Sequence, residues 1–297
     1  MKHTAKITII LLAMFVVAQF IGIYVVNHYS KTGQLPYGME TPKAEKESDF
    51  YTSFLPSLII AFIIAIAVLF LLTKYKSEFI LKLWFFVVIV IALGITLTSF
   101  LPKFKYVSIA VLLVTVPLAF IKIYKRNFFV HNATELFVYP GIAAVFVPIL
   151  NIWTIIVLLI LISIYDMWAV WHSGIMQKMA KYQINKLKIF SGFFVPYVPR
   201  GLRVKMKNMS KSDLKKNKIK INLAILGGGD IIFPIITSGV VLATFGIYHA
   251  LFVVGGATLG LAYLFFYAEK KKFYPAMPFI TAGIFLALIA SLLILGL

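Results

Sequence analysis

The sequence predicts an all-α integral membrane protein with nine transmembrane helices. Of its 297 residues, 61% are hydrophobic and only 13% are charged, whereas about a quarter of the residues in soluble domains are charged. The mean hydropathy is +0.96, and a soluble core of this size has no room for so many apolar side chains. Apolar segments of about 20 residues, enough to cross roughly 30 Å of hydrocarbon, recur along the chain. The lipid bilayer is therefore the first predicted partner.

Nine segments meet this length. They are predicted at residues 7–26, 54–73, 80–100, 106–123, 133–150, 152–172, 221–242, 246–267 and 277–297. The first is longer than the apolar region of a signal peptide and is not followed by a small-residue cleavage site, so we expect a retained helix. The fifth and sixth are separated only by Asn151, which predicts a tight hairpin with Pro148 near its turn.

The distribution of basic residues predicts the orientation, because Lys and Arg accumulate on the cytoplasmic side. With the N-terminus inside, 23 of the 29 Lys and Arg residues lie in inner segments and 5 in outer ones. We therefore expect a multi-pass protein of the cell membrane with a cytoplasmic N-terminus and an outer C-terminus. Its predicted portions are a six-helix part (1–172), a basic cytoplasmic loop (173–220) and a three-helix part (221–297).

The net charge of +19 would suggest nucleic-acid binding in a soluble protein. Here the charge is spread over cytoplasmic loops, where it is explained by the orientation rule and by attraction to anionic headgroups. Nucleic acid is therefore not a predicted partner. The chain has no cysteine, which excludes disulfides, thiolate metal sites and cysteine catalysis.

Acidic residues inside membrane spans are costly and usually functional. Of the ten acids, most fall in predicted loops or at helix ends, and Glu135 falls in the first turn of its predicted segment, where it suits the helix dipole. Only Asp166 and Asp230 are predicted to lie deep. Counting at 1.5 Å per residue places them roughly 9 Å and 13 Å from the inner ends of consecutive antiparallel spans. Two carboxyls meeting there would share one proton, the arrangement with which aspartic proteases activate water.

The sequence around Asp230 favours close approach of another chain. Gly227, Gly228 and Gly229 precede it, and each glycine weakens a helix by roughly 1 kcal/mol relative to alanine while removing side-chain bulk. Pro234 removes one more helical hydrogen bond. Tight packing of small residues between helices is the alternative explanation of the glycines. The prolines at 275 and 278 favour extended backbone, which indicates either a helix start or a stretch that holds substrate.

Three short motifs therefore occur in order along the chain. They are Tyr165-Asp166, Gly227-Gly228-Gly229-Asp230 and Pro275-Ala276-Met277. Together they resemble the YD, GxGD and PAL motifs of the presenilin and signal peptide peptidase family of intramembrane aspartyl proteases, particularly its archaeal homologues. The predicted positions, on helices six and seven and at the start of helix nine, fit as well. Met277 departs from the family's leucine but preserves volume and apolarity.

The resemblance implies an aspartic endopeptidase that cleaves transmembrane helices of membrane proteins or signal peptides, without metal or organic cofactor. It implies Asp166 and Asp230 as the catalytic pair, and Tyr165, the three glycines and Pro275-Ala276-Met277 as substrate-binding or site-shaping residues. Pro234 resembles signal peptide peptidases, whereas the predicted orientation resembles presenilin and favours type I substrates. The sequence indicates neither the substrate nor the oligomeric state.

Two other classes of function remain open. A proton-coupled transporter or channel also uses buried acids at broken helices, although no inverted repeat or second broken helix is visible in the sequence. A scaffold for membrane helices is the other alternative. The five histidines show no spacing typical of metal ligands.

Overall fold

The computed structural model describes residues 5–39, 78–102, 104–125, 127–173, 191–197, 222–268 and 274–296, together with positions 56, 60 and 64. Within these ranges the chain is mostly helical, as predicted, and eight helices are long and apolar enough to cross a membrane. The predicted span 54–73 lies almost entirely outside the described residues. The count of nine helices therefore stays a prediction.

The eight long helices correspond to eight of the nine predicted segments. They are α1 (Ala5–Thr32), α2 (Glu78–Phe100), α3 (Val107–Tyr124), α4 (Phe128–Phe146), α5 (Ile152–Trp168), α6 (Gly228–Phe245), α7 (Ile247–Tyr267) and α8 (Met277–Leu295). A π-helical turn, Ala169–Ser173, extends α5. The helices α5, α6 and α8 correspond to the predicted spans six, seven and nine.

The predicted tight hairpin between α4 and α5 is present. A short 3₁₀ helix, Val147–Ile149, contains Pro148, and the Asn151 side chain accepts a hydrogen bond from the Thr154 amide, 2.8 Å away. This side chain satisfies one of the free amides at the start of α5. The same residue type caps α4, where Asn127 accepts from the amides of Phe129 and Val130.

Two short strands interrupt the helical fold, and they correct the prediction of a span over 221–242. The strands β1 (Gly192–Tyr197) and β2 (Asn222–Gly227) pair antiparallel, with Gly192 opposite Gly227. In β2 the side chains of Ala224 and Leu226 are buried, whereas those of Leu223 and Ile225 are exposed. This alternation is that of a strand, and the glycines that follow weaken any helix across the junction.

The helix α6 lies at the centre of the described structure. It contacts α1, α4, α5, α7 and α8, as well as both strands. Its residues Ile231, Ile235 and Val241 are fully buried, and Gly22 of α1 leaves room for the Ile235 side chain. A helix surrounded in this way has a fixed position relative to its neighbours, and so does the residue at its start.

The helices α7 and α8 approach each other along a line of glycines. A Cβ atom on Gly256 would overlap the carbonyl oxygen of Gly283, and one on Gly260 would overlap that of Phe279. Small residues allow this backbone contact between membrane helices. The contact fixes α8 against the bundle, and the first residue of α8 belongs to the candidate site.

Candidate active site

Three elements converge at one end of the bundle. Asp166 lies in the last turn of α5, Asp230 is the third residue of α6, and Met277 is the first residue of α8. The three motif segments singled out in the sequence therefore meet in space. A second contact between α5 and α8 supports this arrangement, since Ser163 Oγ lies 2.9 Å from Thr281 Oγ1 and donates to it.

Asp166 is held by the start of α8. Its carboxyl is buried, with 5% of the residue exposed, and Oδ2 accepts a hydrogen bond from the Met277 amide at 3.1 Å. The Ala276 amide also interacts with this carboxyl group. The first amides of a helix have no partner within the helix and favour a negative charge. The Pro275-Ala276-Met277 segment thus contacts Asp166 through its backbone, with the helix start itself supplying the donors.

Asp230 lies against the end of β2 and close to Asp166. Its carboxyl interacts with the Gly227 amide, and it is near enough to Asp166 for the two charges to interact. The predicted depth of Asp230 is wrong in one respect: α6 begins at Gly228, so Asp230 lies in its first turn rather than nine residues into a helix. This places the residue at a strand–helix junction, where the backbone before it is extended.

The three glycines before Asp230 have different surroundings. A Cβ atom on Gly227 would lie 3.2 Å from Asp230 Oδ2, and one on Gly228 would lie 2.7 Å from Ser191 Oγ and 2.8 Å from the Tyr139 hydroxyl. A Cβ atom on Gly229 would meet only the Phe233 ring, at 3.8 Å. The close approach of Ser191 and Tyr139 therefore requires glycine at position 228. The Asp230 carboxyl limits the size of the side chain at position 227, whereas position 229 has room for a larger one.

The first turn of α6 receives support from α1. The Gln19 side chain is fully buried, and its Nε2 donates to the Ile231 carbonyl oxygen at 3.1 Å. Pro234 has no amide hydrogen to donate to the carbonyl of Asp230, so this turn has fewer helical hydrogen bonds than usual. The role of Gln19 was not predicted, although a single amide side chain within an apolar span is a visible signal.

Tyr165 lies apart from these contacts. It is 58% exposed, and its ring centroid lies 6.3 Å from that of Trp168. Residues adjacent in a helix point about 100° apart, so burial of the Asp166 side chain directs Tyr165 toward the surface of the bundle.

The sequence did not predict a group of polar residues on α4. Glu135 was expected in the first turn of a segment beginning at 133, but α4 begins at Phe128 and Glu135 is its eighth residue. Only 1% of Glu135 is exposed, and its Oε1 lies 2.7 Å from Lys122 Nζ of α3. One turn further on, the hydroxyl group of Tyr139 lies 3.3 Å from Ser191 Oγ.

The two edges of the small sheet differ. On β1, His131 Nε2 lies 2.9 Å from the Gly192 carbonyl oxygen, and Asn132 bonds both the amide and the carbonyl of Phe194. Backbone groups alternate in direction along a strand, so these bonds identify the outer edge of β1. In β2 the residues opposite them, Ile225 and Gly227, direct their backbone groups away from β1. That edge of β2 leads to Asp230.

Comparisons with known proteins agree with the motifs and the fold. A family model described as signal-peptide peptidase, presenilin aspartyl protease matches residues 10–297. Two solved structures of a presenilin family intramembrane aspartate protease are similar to the chain. The structure in space group C222 has a TM-score of 0.62 at 18% identity and covers 95% of this chain and 97% of its own. The structure in space group P2 has a TM-score of 0.60 at 18% identity, with coverages of 94% and 95%. No curated protein sequence matches.

Proposed function

The chain belongs to the family of signal-peptide peptidase and presenilin aspartyl proteases and is an aspartic endopeptidase of the membrane, and we propose that Asp166 and Asp230 are its catalytic pair. The observation on which this depends is the convergence of both aspartates with the start of α8 at one end of the bundle. We propose transmembrane helices of membrane proteins, or signal peptides, as substrates.

The proposed reaction uses water as the nucleophile. Two carboxyl groups close together in a site of low dielectric hold one proton between them, since two negative charges there repel each other. The ionised carboxyl takes a proton from water, and the protonated one donates a hydrogen bond to the carbonyl oxygen of the peptide bond. The backbone amides at Met277 and Gly227 favour this arrangement, because each lies against one carboxyl group.

A helical substrate must unwind before its carbonyl groups become accessible, and the edge of β2 that has no partner strand among the described residues is the proposed template. An extended peptide adds to a sheet edge through main-chain hydrogen bonds. The outward amide and carbonyl groups of Ile225 offer such bonds close to Asp230, whereas the Gly227 amide already contacts the Asp230 carboxyl. A substrate strand paired there would pass beside both carboxyl groups, and the small glycines leave room for its backbone.

The remaining motif residues have proposed roles in shaping the site. The Pro275-Ala276-Met277 segment orients Asp166 through its backbone amides, so the change from leucine to Met277 leaves these donors intact. Gly228 permits contact with Tyr139 and Ser191, while Gly229 lies on the exposed side of the turn. For Tyr165, which faces outward from α5, contact with a substrate helix is the proposed role.

Replacement of either aspartate tests the assignment. We expect Asp166→Asn and Asp230→Asn to abolish cleavage of a tagged single-span substrate in detergent, because an amide can neither accept the proton from water nor share one with its partner. Both variants are expected to elute and melt like the wild type. Removal of one catalytic group typically lowers kcat by about 10⁴-fold or more.

Glu78→Gln is the matched control, since Glu78 lies at the start of α2 and, among the described residues, pairs only with Lys82 in a long surface contact of 3.9 Å. This variant should cleave at the wild-type rate. Cleavage that persists in both aspartate variants would contradict the assignment of the pair.

A further inference from the structure

Lys122 and Glu135 form an ion pair buried in the helical bundle. Their side chains are 3% and 2% exposed, and the two charged atoms lie 2.7 Å apart. Removing two charges from water is expensive, so a buried pair commonly adds little net stability. In a membrane protein such residues are usually retained for function. The proposed reaction uses neither residue, so the pair is expected to have another role, which its contacts indicate.

The contacts of α4 lead from this pair to β1. His131 Nε2 lies 3.7 Å from Glu135 Oε1 and 2.9 Å from the Gly192 carbonyl oxygen. Asn132, the next residue, bonds Phe194 on both sides, at 2.9 Å and 3.1 Å. The face of α4 that surrounds Glu135 therefore fixes the outer edge of β1.

A second set of contacts leads from Glu135 toward Asp230. Tyr139 lies one turn after Glu135 on α4, and its hydroxyl lies 3.3 Å from Ser191 Oγ. The Ser191 carbonyl oxygen accepts from the Gly228 amide at 3.3 Å. Tyr139 also packs closely on Gly228, where a Cβ atom would lie 2.8 Å from its hydroxyl oxygen. Only Gly229 separates this contact from Asp230.

We propose that Tyr139 and Glu135 are positioning residues for Asp230. In this arrangement Lys122 holds the Glu135 carboxylate, Glu135 orients the Tyr139 hydroxyl group, and Tyr139 sets the place at which β2 ends and α6 begins. The inference rests on the proposed catalytic role of Asp230. A shift of about 1 Å in a reacting group can lower a rate by about a hundredfold, so small changes in this support alter kcat rather than substrate binding.

The first test removes one hydroxyl group. Tyr139→Phe preserves the ring, which packs against Phe193 with centroids 6.0 Å apart, and deletes the hydroxyl that contacts Ser191. We expect kcat to fall by about tenfold or more with KM changed by less than about twofold. The control is Tyr248→Phe, at a residue that is 70% exposed on α7, with wild-type kinetics. A Tyr139→Phe enzyme with wild-type kcat would overturn the proposal.

The second test separates positioning from stability. Glu135→Gln leaves Lys122 buried without its counter-charge, so we expect both Tm and kcat to fall. Adding Lys122→Met removes the unpaired charge and should restore Tm, while kcat stays low because Tyr139 lacks its carboxylate acceptor. If the double variant regains both Tm and kcat, the pair is purely structural and the role of Glu135 is wrong. Should the double variant not fold, Tyr139→Phe decides alone.

The aspartate variants, assayed in the same preparations, separate the two proposals. Cleavage by Asp166→Asn and Asp230→Asn would refute the catalytic pair itself. If both are inactive while Tyr139→Phe matches the wild type, only the positioning role fails.

Discussion

Adjacent residues at the site differ in the size of side chain for which they have room, and the sequence does not show this difference. Gly228 and Gly229 are neighbours, yet a Cβ atom on the first would lie within 2.8 Å of two hydroxyl oxygens, whereas one on the second has only an ordinary contact at 3.8 Å. The difference arises because α4 and β1 pack on one side of the turn only. The exposed side, where Gly229 lies, is free of these contacts.

This difference predicts unequal effects of the same substitution on stability. Gly228→Ala must displace Ser191 or Tyr139, and overpacking of this kind costs about 1–3 kcal/mol. We expect the low end of that range, since both obstructing atoms are at the ends of side chains, and a correspondingly lower Tm in detergent. Gly229→Ala is the matched control and should melt within about 1 °C of the wild type. Equal melting temperatures for the two variants would contradict the packing described around Gly228.

Prediction from the sequence succeeded for residues whose charge conflicts with the apolar segment around them. It failed where the outcome depends on the residue at which a helix or strand begins. Asp166 and Asp230 stood out as acids within apolar segments, and the structure brings them together. Glu135 was placed in the first turn of a segment beginning at 133, whereas α4 begins at Phe128 and Glu135 is its eighth residue. Its partner Lys122, counted among the inner basic residues, does lie in the last turn of α3 but is buried. Partners on other helices cannot be identified from a hydropathy pattern.

At the scale of elements, hydropathy predicted the helices far better than the strands. The segment from Asn222 to Leu226 is nearly all apolar, so its alternation between buried and exposed positions is invisible in the sequence. One face of β2 is buried in protein, and the other is exposed to substrate or lipid. Both environments favour apolar residues, so the two faces look alike in the sequence. The strand was therefore merged with the helix that follows it, and the junction at Gly227 was placed inside a span.

The contact between α7 and α8 offers a sharp test of element packing. Gly256 and Gly255 are adjacent on α7, but a Cβ atom on Gly256 would overlap the Gly283 carbonyl oxygen, whereas nothing lies within 4 Å of one on Gly255. We expect Gly256→Ala to push α8 away and to destabilise the protein by about 1–3 kcal/mol. Because α8 supplies the amide that holds Asp166, cleavage should fall as well.

Gly255→Ala makes the same chemical change on the open side of the helix. Alanine is the better helix former, so this control should keep or slightly raise Tm and retain full activity. The two melting curves, recorded in the same detergent, give the comparison. A Gly256→Ala enzyme as stable and active as the wild type would show that the helices do not approach so closely.

At the scale of the whole molecule, the site lies at the same end of the bundle as Lys122 and Lys125 at the end of α3. Lys122, which pairs with Glu135, is in the last turn of α3, and the contacts of α4 join this end to β1 and Asp230. The distribution of Lys and Arg predicts that this end is cytoplasmic. If so, substrates are cleaved near the inner side of the membrane, and the predicted preference for type I substrates follows from the family resemblance.

The absence of cysteine from the sequence makes the orientation directly measurable. Lys105 and Lys125 are both exposed and flank the two ends of α3, so Lys105→Cys and Lys125→Cys form a matched pair on one helix. We expect a membrane-impermeant maleimide to label Lys105→Cys in intact cells and Lys125→Cys only after permeabilisation, because the basic end should face the cytoplasm. The reverse pattern would place Asp166 and Asp230 near the outer surface and would favour type II substrates. Labelling of both in unpermeabilised cells would mean that α3 does not cross the membrane.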